Sequence, residues 1–249
     1  MRHLVSIADL TTDEVWQILN LATDLKQEWK GGGNTPLLPR KSLGMIFQKP
    51  SLPTRVSFEM AMLHLGGQAV YLSPQEIQLG ERESVPDIAR VLSRYVDAIM
   101  ARVFAHSDVQ GLASHASVPV INGLSDYLHR CQALSDLFTI YEKRGVLQGL
   151  KLACVGDGNN VAHSLLFAAS KAGMEIRLAT PSEYEPRPEV VSEARAFSQE
   201  TGGRVTLDTD PRSVVGGADI IYTDVWTSVG QEAERGRRLP VFPALSGEH

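Results

Sequence analysis

The sequence predicts an α/β protein of two doubly wound lobes with parallel sheets, each flanked by helices. Two observations predict it. Short apolar runs recur along the chain as "LGMIF", "QAVYL", "AIMARV" and "VPVIN" in the first half and "LKLACVG", "EIRLAT", "RVTLD" and "ADIIYT" in the second. Stretches of helical periodicity separate nearly all of them, and strands alternating with helices imply parallel sheets whose ligand sites lie at the carboxyl ends of the strands.

Taken in order, "TTDEVWQILNLATDLKQEW" opens with Thr11 and Glu14 spaced as a capping box. Val15, Ile18, Leu19, Ala22 and Leu25 follow at helical spacing, and Gly31 to Gly33 end the helix. The strand "LGMIF" runs through Gln48 to Arg55 into "VSFEMAMLHLGG", a helical pattern closed by Gly66 and Gly67. A strand that passes through Ser51 and Thr54 into a helix start presents hydroxyls, N–H groups and a helix dipole to an anion. Ser and Thr there also serve as plain caps. The segment "CQALSDLFTIYEKRGVLQG", with Leu134, Leu137, Phe138 and Tyr141 along one face, reads as the helix joining lobe 1–144 to lobe 145–249. No Pro/Ser-rich linker or repeat separates the lobes, and the cleft between them is the expected binding site. Asp97 and Glu83 read as residues of solvated helix faces.

Composition narrows the function. The 249 residues are 43% hydrophobic, enough for a substantial core, and the formal charge of −5 with no Lys/Arg run argues against nucleic acid. No apolar run approaches the roughly 20 residues that span a bilayer, and "MRHLVSIADL" is too short and polar for a signal peptide, so a cytoplasmic location is expected. Cys131 and Cys154 lack metal-like spacing and read as reduced thiols. His64, His106, His115 and His163 show no ligand spacing and read as structural or exposed.

Candidate site residues gather at predicted strand ends: Gln78 and Arg102; His129, Gln132 and Asp136; Gly156, Gly158 and Asn160; Asp224 and Ser228. The "GDGNNV" turn invites a dinucleotide reading, but Val161 stands where G-x-G-x-x-G needs its third glycine.

"SRYVDAIMAR", "SVPVINGLSD", "VGDGNNVAHS" and "YTDVWTSVGQEAE" resemble ornithine carbamoyltransferase over nearly the whole chain, from Leu4 to Arg238. The resemblance implies a carbamoyl-phosphate domain followed by an ornithine domain in a homotrimer or multiple of trimers. It also implies transfer of the carbamoyl group to L-ornithine without metal or organic cofactor, in arginine biosynthesis or ornithine/citrulline metabolism. By position, Ser51, Leu52, Pro53 and Thr54 form the phosphate loop. Thr54, Arg102 and His129 face the carbamoyl oxygen as the catalytic group, within a His-Arg-Cys-Gln turn made of His129, Arg130, Cys131 and Gln132. Gln132 meets the carbamoyl nitrogen, and Gln78 a phosphate, in some family members from a neighbouring subunit. Asn160, Asp224 and Ser228, with the Val229 backbone, hold the α-amino acid head of ornithine.

Three departures stand out. Pro53 replaces the central arginine of the family's Ser-x-Arg-Thr-Arg loop, Arg130 replaces the proline of His-Pro-x-Gln, and the chain lacks the later His-Cys-Leu-Pro segment. The resemblance therefore implies a C-terminally truncated form whose second lobe is incomplete at the C-terminus. Competing readings are a chain that only binds carbamoyl phosphate or ornithine, and a transcarbamylase with another amine acceptor. Arg130 is a candidate to replace the charge lost at Pro53.

Overall fold

A computed structural model describes residues 2–224. The predicted Ser228 and Val229 lie outside the described residues. The chain divides into two compact units, Met1–Cys131 and Gln132–His249.

The first unit carries α1 (Thr12–Lys30), β1 (Ser42–Phe47), α2 (Leu52–His64), β2 (Gln68–Leu72), α3 (Pro74–Ile77), α4 (Val85–Leu92), β3 (Ala98–Arg102), α5 (His106–His115) and β4 (Val120–Leu124). Helix α6 (Arg130–Arg144) begins at its end. The second unit continues with β5 (Lys151–Val155), α7 (Asn160–Lys171), β6 (Glu175–Ala179), α8 (Pro188–Thr201), β7 (Arg204–Asp208), α9 (Pro211–Val215) and β8 (Ile220–Thr223). Every strand falls on one of the apolar runs, and every pairing among the described strands is parallel.

The sheet orders are β2-β1-β3-β4 and β7-β6-β5-β8. In each, the chain steps outward from a central strand and then returns to its other side, so the order reverses between β1 and β3 and again between β5 and β8. Loops leaving the carboxyl ends of two such strands diverge to opposite faces and leave a crevice.

In the first unit, two-residue alternation along β1 decides the packing. Leu43, Met45 and Phe47 meet Phe58 and Met62 of α2 on one face. Ile46 joins Ile88, Ile99, Val109 and Leu112 on the other, under α4 and α5. Helix α1 keeps the Thr11–Glu14 capping box. Helix α2 is apolar beyond its inner face: Leu52, Val56, Met60 and Leu63 are 74%, 44%, 39% and 62% exposed. The free side of β4 is joined by the N-terminal segment, where Leu4 N donates to Val120 O at 2.8 Å and Asn122 N to Leu4 O at 3.0 Å.

In the second unit α7 is buried from Val161 to Lys171, in keeping with its nearly continuous apolar sequence, and packs against α8. Glycine 158 permits a close approach: an added Cβ would stand 2.2 Å from Pro186 N and 2.6 Å from Tyr184 O. The glycine-rich turn is thus shaped to receive the 184–186 loop, and Gly158 N donates to Tyr184 O at 2.8 Å.

Two charged residues sit elsewhere than the sequence suggested. Asp97 is outside any helix, immediately before β3, where its carboxylate accepts from Ser42 N and Lys41 Nζ, each at 2.8 Å. It ties β3 to β1 rather than facing solvent from a helix. Glu83 is also non-helical and bridges to Leu79.

Candidate active site

At the β1/β3 crevice the chain leaves Phe47 and turns at Ser51, the N-cap of α2. Ser51 Oγ donates to Thr54 Oγ1 at 3.0 Å, and Arg102 Nη1, reaching across from the end of β3, donates to the same oxygen at 3.3 Å. A hydroxyl has two acceptor positions and one proton. With both positions taken, Thr54 keeps its proton for a ligand.

Arg102 is 9% exposed, and burial lowers its pKa. Its Nε is buried with no hydrogen-bond partner among the described residues. A buried donor left unmade costs on the order of 1–3 kcal/mol, so an acceptor arriving here gains by meeting it. His129, half-buried just before α6, has its pKa pushed down to about 4, first by burial and then by the charge of Arg102. Its imidazole is neutral at neutral pH.

Pro53 lies in the first turn of α2 and is accommodated, as a residue that supplies no N–H should be there. The anion cradle is weaker for it. Pro53 has no N–H, that of Thr54 is turned to Ser51 Oγ at 3.4 Å, and that of Arg55 bonds Ser51 O at 3.0 Å. Leu52 beside it is exposed. The Arg55 side chain is turned along the helix surface, with Nε 2.8 Å from Glu59 Oε1 and its guanidinium 4.1 Å from the centre of the Tyr71 ring. Gln78 is exposed and caps α3 in the left-handed conformation, at φ 38°. Gln48 braces the adjoining turn by donating to Leu79 O at 3.3 Å and Asp108 Oδ2 at 3.2 Å.

Arg130 does not join Thr54 and Arg102. Its side chain is fully buried, Nε donates to Asn122 O at 2.9 Å, and both Nη atoms lack partners among the described residues. Cys131 Sγ lies 3.6 Å from the same carbonyl oxygen. The guanidinium is committed to the end of β4, so it does not make good the charge missing at Pro53. Gln132, the next residue but one, is exposed and donates to Asp136 Oδ1 at 2.9 Å.

At the β5/β8 crevice a small recess is lined by Cys154, Gly156, Asn159, Tyr222 and Asp224 among others. Gly156 has a φ of 151°, open to glycine and poorly to other residues. Asn159 caps α7, its Oδ1 accepting from Val161 N at 2.9 Å and Ala162 N at 3.1 Å, while its Nδ2 donates to Asp224 Oδ2 at 3.3 Å. Sequence reasoning chose Asn160 and passed over Asn159, which the structure places on Asp224; the N-cap preference for Asn was the signal that could have found it. Asn160 opens α7 beside it. Asp136, Tyr222 and Cys154 all have raised pKa values, chiefly from burial, with Asp224 adding its charge to each. The carboxyls that line the recess itself are those of Asp157 and Asp224, a pairing suited to a cationic group.

The comparisons bear directly on these two crevices. Residues 2–142 match the model of the aspartate/ornithine carbamoyltransferase carbamoyl-P binding domain, and residues 148–245 match that of the Asp/Orn binding domain. The chain belongs to the aspartate/ornithine carbamoyltransferase family. Its similarity to individual carbamoyltransferases is close. An ornithine carbamoyltransferase of Pyrococcus abyssi is 55% identical over 97% of this chain and 76% of its own length. One of Anoxybacillus flavithermus is 50% identical over 97% of this chain and 77% of its own. The solved ornithine carbamoyltransferase of Pyrococcus furiosus superposes with a TM-score of 0.94 at 54% identity, covering 97% of this chain and 77% of that one. Among the described residues of this carbamoyltransferase no cluster of three His, Cys, Asp or Glu could hold a metal ion, and no helix is long and apolar enough to cross a membrane.

Proposed function

We propose that this chain transfers the carbamoyl group of carbamoyl phosphate to the δ-amine of L-ornithine, giving L-citrulline and phosphate. The observation that carries the reading is the Thr54–Arg102 contact beside a neutral His129, in a chain 55% identical to an ornithine carbamoyltransferase. In the reaction the amine nitrogen attacks the carbamoyl carbon, the bond from that carbon to the bridging phosphate oxygen breaks, and the nitrogen gives up a proton to the departing phosphate. Charge develops on the carbamoyl oxygen, and donors already in place stabilise it without reorganisation. Thr54, Arg102 and His129 supply those donors, with His129 able to donate as a neutral imidazole. Ser51, Leu52, Pro53, Thr54 and Gln78 line the phosphate side, and Gln132 takes the carbamoyl nitrogen. Asp224, fixed by Asn159, takes the α-ammonium of ornithine, with Asn160, Ser228 and Val229 around the carboxylate.

Residues 1–144 and 145–249 serve in this reading as carbamoyl-phosphate and ornithine domains, acting in the cytoplasm as a homotrimer or a multiple of trimers. The exposed apolar stripe on α2 supports such an assembly, because an apolar helix face seeks cover. A second reading, a chain that only binds carbamoyl phosphate, is favoured by Pro53 with Arg55 and Arg130 both engaged elsewhere. Citrulline formation by the purified chain from carbamoyl phosphate and L-ornithine decides between them. Turnover supports the first reading; binding of carbamoyl phosphate without turnover supports the second and overturns the first.

A further inference from the structure

Gln132 and Asp136 stand one turn apart on α6, joined by a hydrogen bond from Nε2 to Oδ1 at 2.9 Å. The carboxyl is held in place by its own helix, anchored by buried Ala133, Leu134 and Leu137, and its Oδ2 is buried with no hydrogen-bond partner among the described residues. An amide has one donating and one accepting end. A carboxylate that engages the nitrogen turns the oxygen away, since the reversed amide would set two acceptors face to face. We propose that Asp136 is a positioning residue that makes Gln132 an acceptor, and so makes the NH2 of the carbamoyl group the feature by which the ligand is recognised.

The inference rests on the reading of Gln132 given above and goes beyond it by assigning the source of its orientation. It has a chemical consequence. Acetyl phosphate has nearly the shape of carbamoyl phosphate but carries a methyl group where the latter has NH2. A site built to accept from that NH2 disfavours the analogue, whose methyl offers the Gln132 oxygen no donor. Without Asp136 the amide is free to present either end, and the discrimination weakens.

The test is the ratio of dissociation constants for acetyl phosphate and carbamoyl phosphate, measured by calorimetry on the full chain. The variants are Asp136→Ala, Gln132→Ala and the double variant. Asp136→Ala is expected to lower the ratio at least fivefold while the acetyl phosphate constant moves less than twofold. The double variant is expected to lose no more selectivity than Gln132→Ala, because both changes remove one interaction. An unchanged ratio, equal weakening of both ligands, or additive losses would overturn the proposal. Should Asp136→Ala fail to fold, Asp136→Asn keeps the volume and replaces one acceptor facing Gln132 by an NH2. The ratio is then expected to fall likewise, and constancy overturns the proposal. Citrulline formation is scored separately. Turnover without the selectivity change overturns the Asp136 assignment alone, and the selectivity change without turnover overturns the reaction alone. A wild-type chain that holds carbamoyl phosphate no better than acetyl phosphate overturns the Asp136 assignment as well.

Discussion

The guanidinium of Arg55 lies over the Tyr71 ring, 4.1 Å from its centre, and is held there by Glu59 one turn along α2. Together an exposed cation–π contact and an i,i+4 ion pair are worth about 1 kcal/mol. Any phosphate contact Arg55 made instead would have to exceed that. Arg55→Gln is therefore expected to leave the KM for carbamoyl phosphate within about twofold, judged against a contact worth 1.5–3 kcal/mol. A rise of tenfold or more in steady-state assays would show that the side chain leaves Tyr71 when ligand binds.

Position 53 behaves in the opposite way. Pro53 is exposed in the first turn of α2, so a long side chain fits there without repacking. Pro53→Arg restores both an N–H and a guanidinium at the anion cradle, and the KM for carbamoyl phosphate is expected to fall about 10- to 100-fold, as for a charge-assisted bidentate contact. An unchanged KM would mean that phosphate is held without this position.

Arg130 carries a prediction about stability. Burial lowers its pKa to about 10, so it remains charged at neutral pH with two unpartnered nitrogens. Replacing a buried unpaired charge by an apolar chain of similar length stabilises a fold by about 1–3 kcal/mol. Arg130→Met is expected to raise the melting temperature by about 2–4 °C for each kcal/mol, measured by calorimetry. A lower melting temperature would show that the bond to the Asn122 carbonyl outweighs the buried charge.

His129 gives a pH dependence of definite sign. Its folded pKa, about 4, lies below the unfolded value near 6.5, so between these the unfolded chain binds the extra proton. Stability is complete above pH 6.5 and is lost as pH falls through this window, by up to about 3 kcal/mol. Denaturant titrations at pH 7 and pH 4.5 are expected to show a smaller loss in His129→Asn than in the wild-type chain. Equal losses would place the acid sensitivity elsewhere.

The strands were legible because their signal is local: "AIMARV" or "EIRLAT" states its burial in its own composition. The capping box of α1 and the two strand-to-helix turns were legible for the same reason. Asp97 was misread because its partners, Lys41 and Ser42, lie more than fifty residues away in sequence, and a charge beside apolar residues looks helical on its own. Arg130 shows a different blind spot. Spacing places it beside His129, but the direction of its side chain depends on the space under β4, which no periodicity records. Asn159 and Asn160 are adjacent and alike, and only the capping geometry of α7 separates the one that meets Asp224.

The pairing of the N-terminal segment with β4 also bears on the order in which the fold is completed. Asn122 Nδ2 reaches Val5 O across 117 positions of sequence, so the segment before α1 waits for the last strand of its own unit to be made. Contacts of such long separation close late, because the loop they close must first be ordered. Until then one side of β4 is an open template for another chain. The few residues before α1 are thus the clasp that ends the assembly of the first sheet, and nascent chains are most prone to mispair in the interval before it shuts.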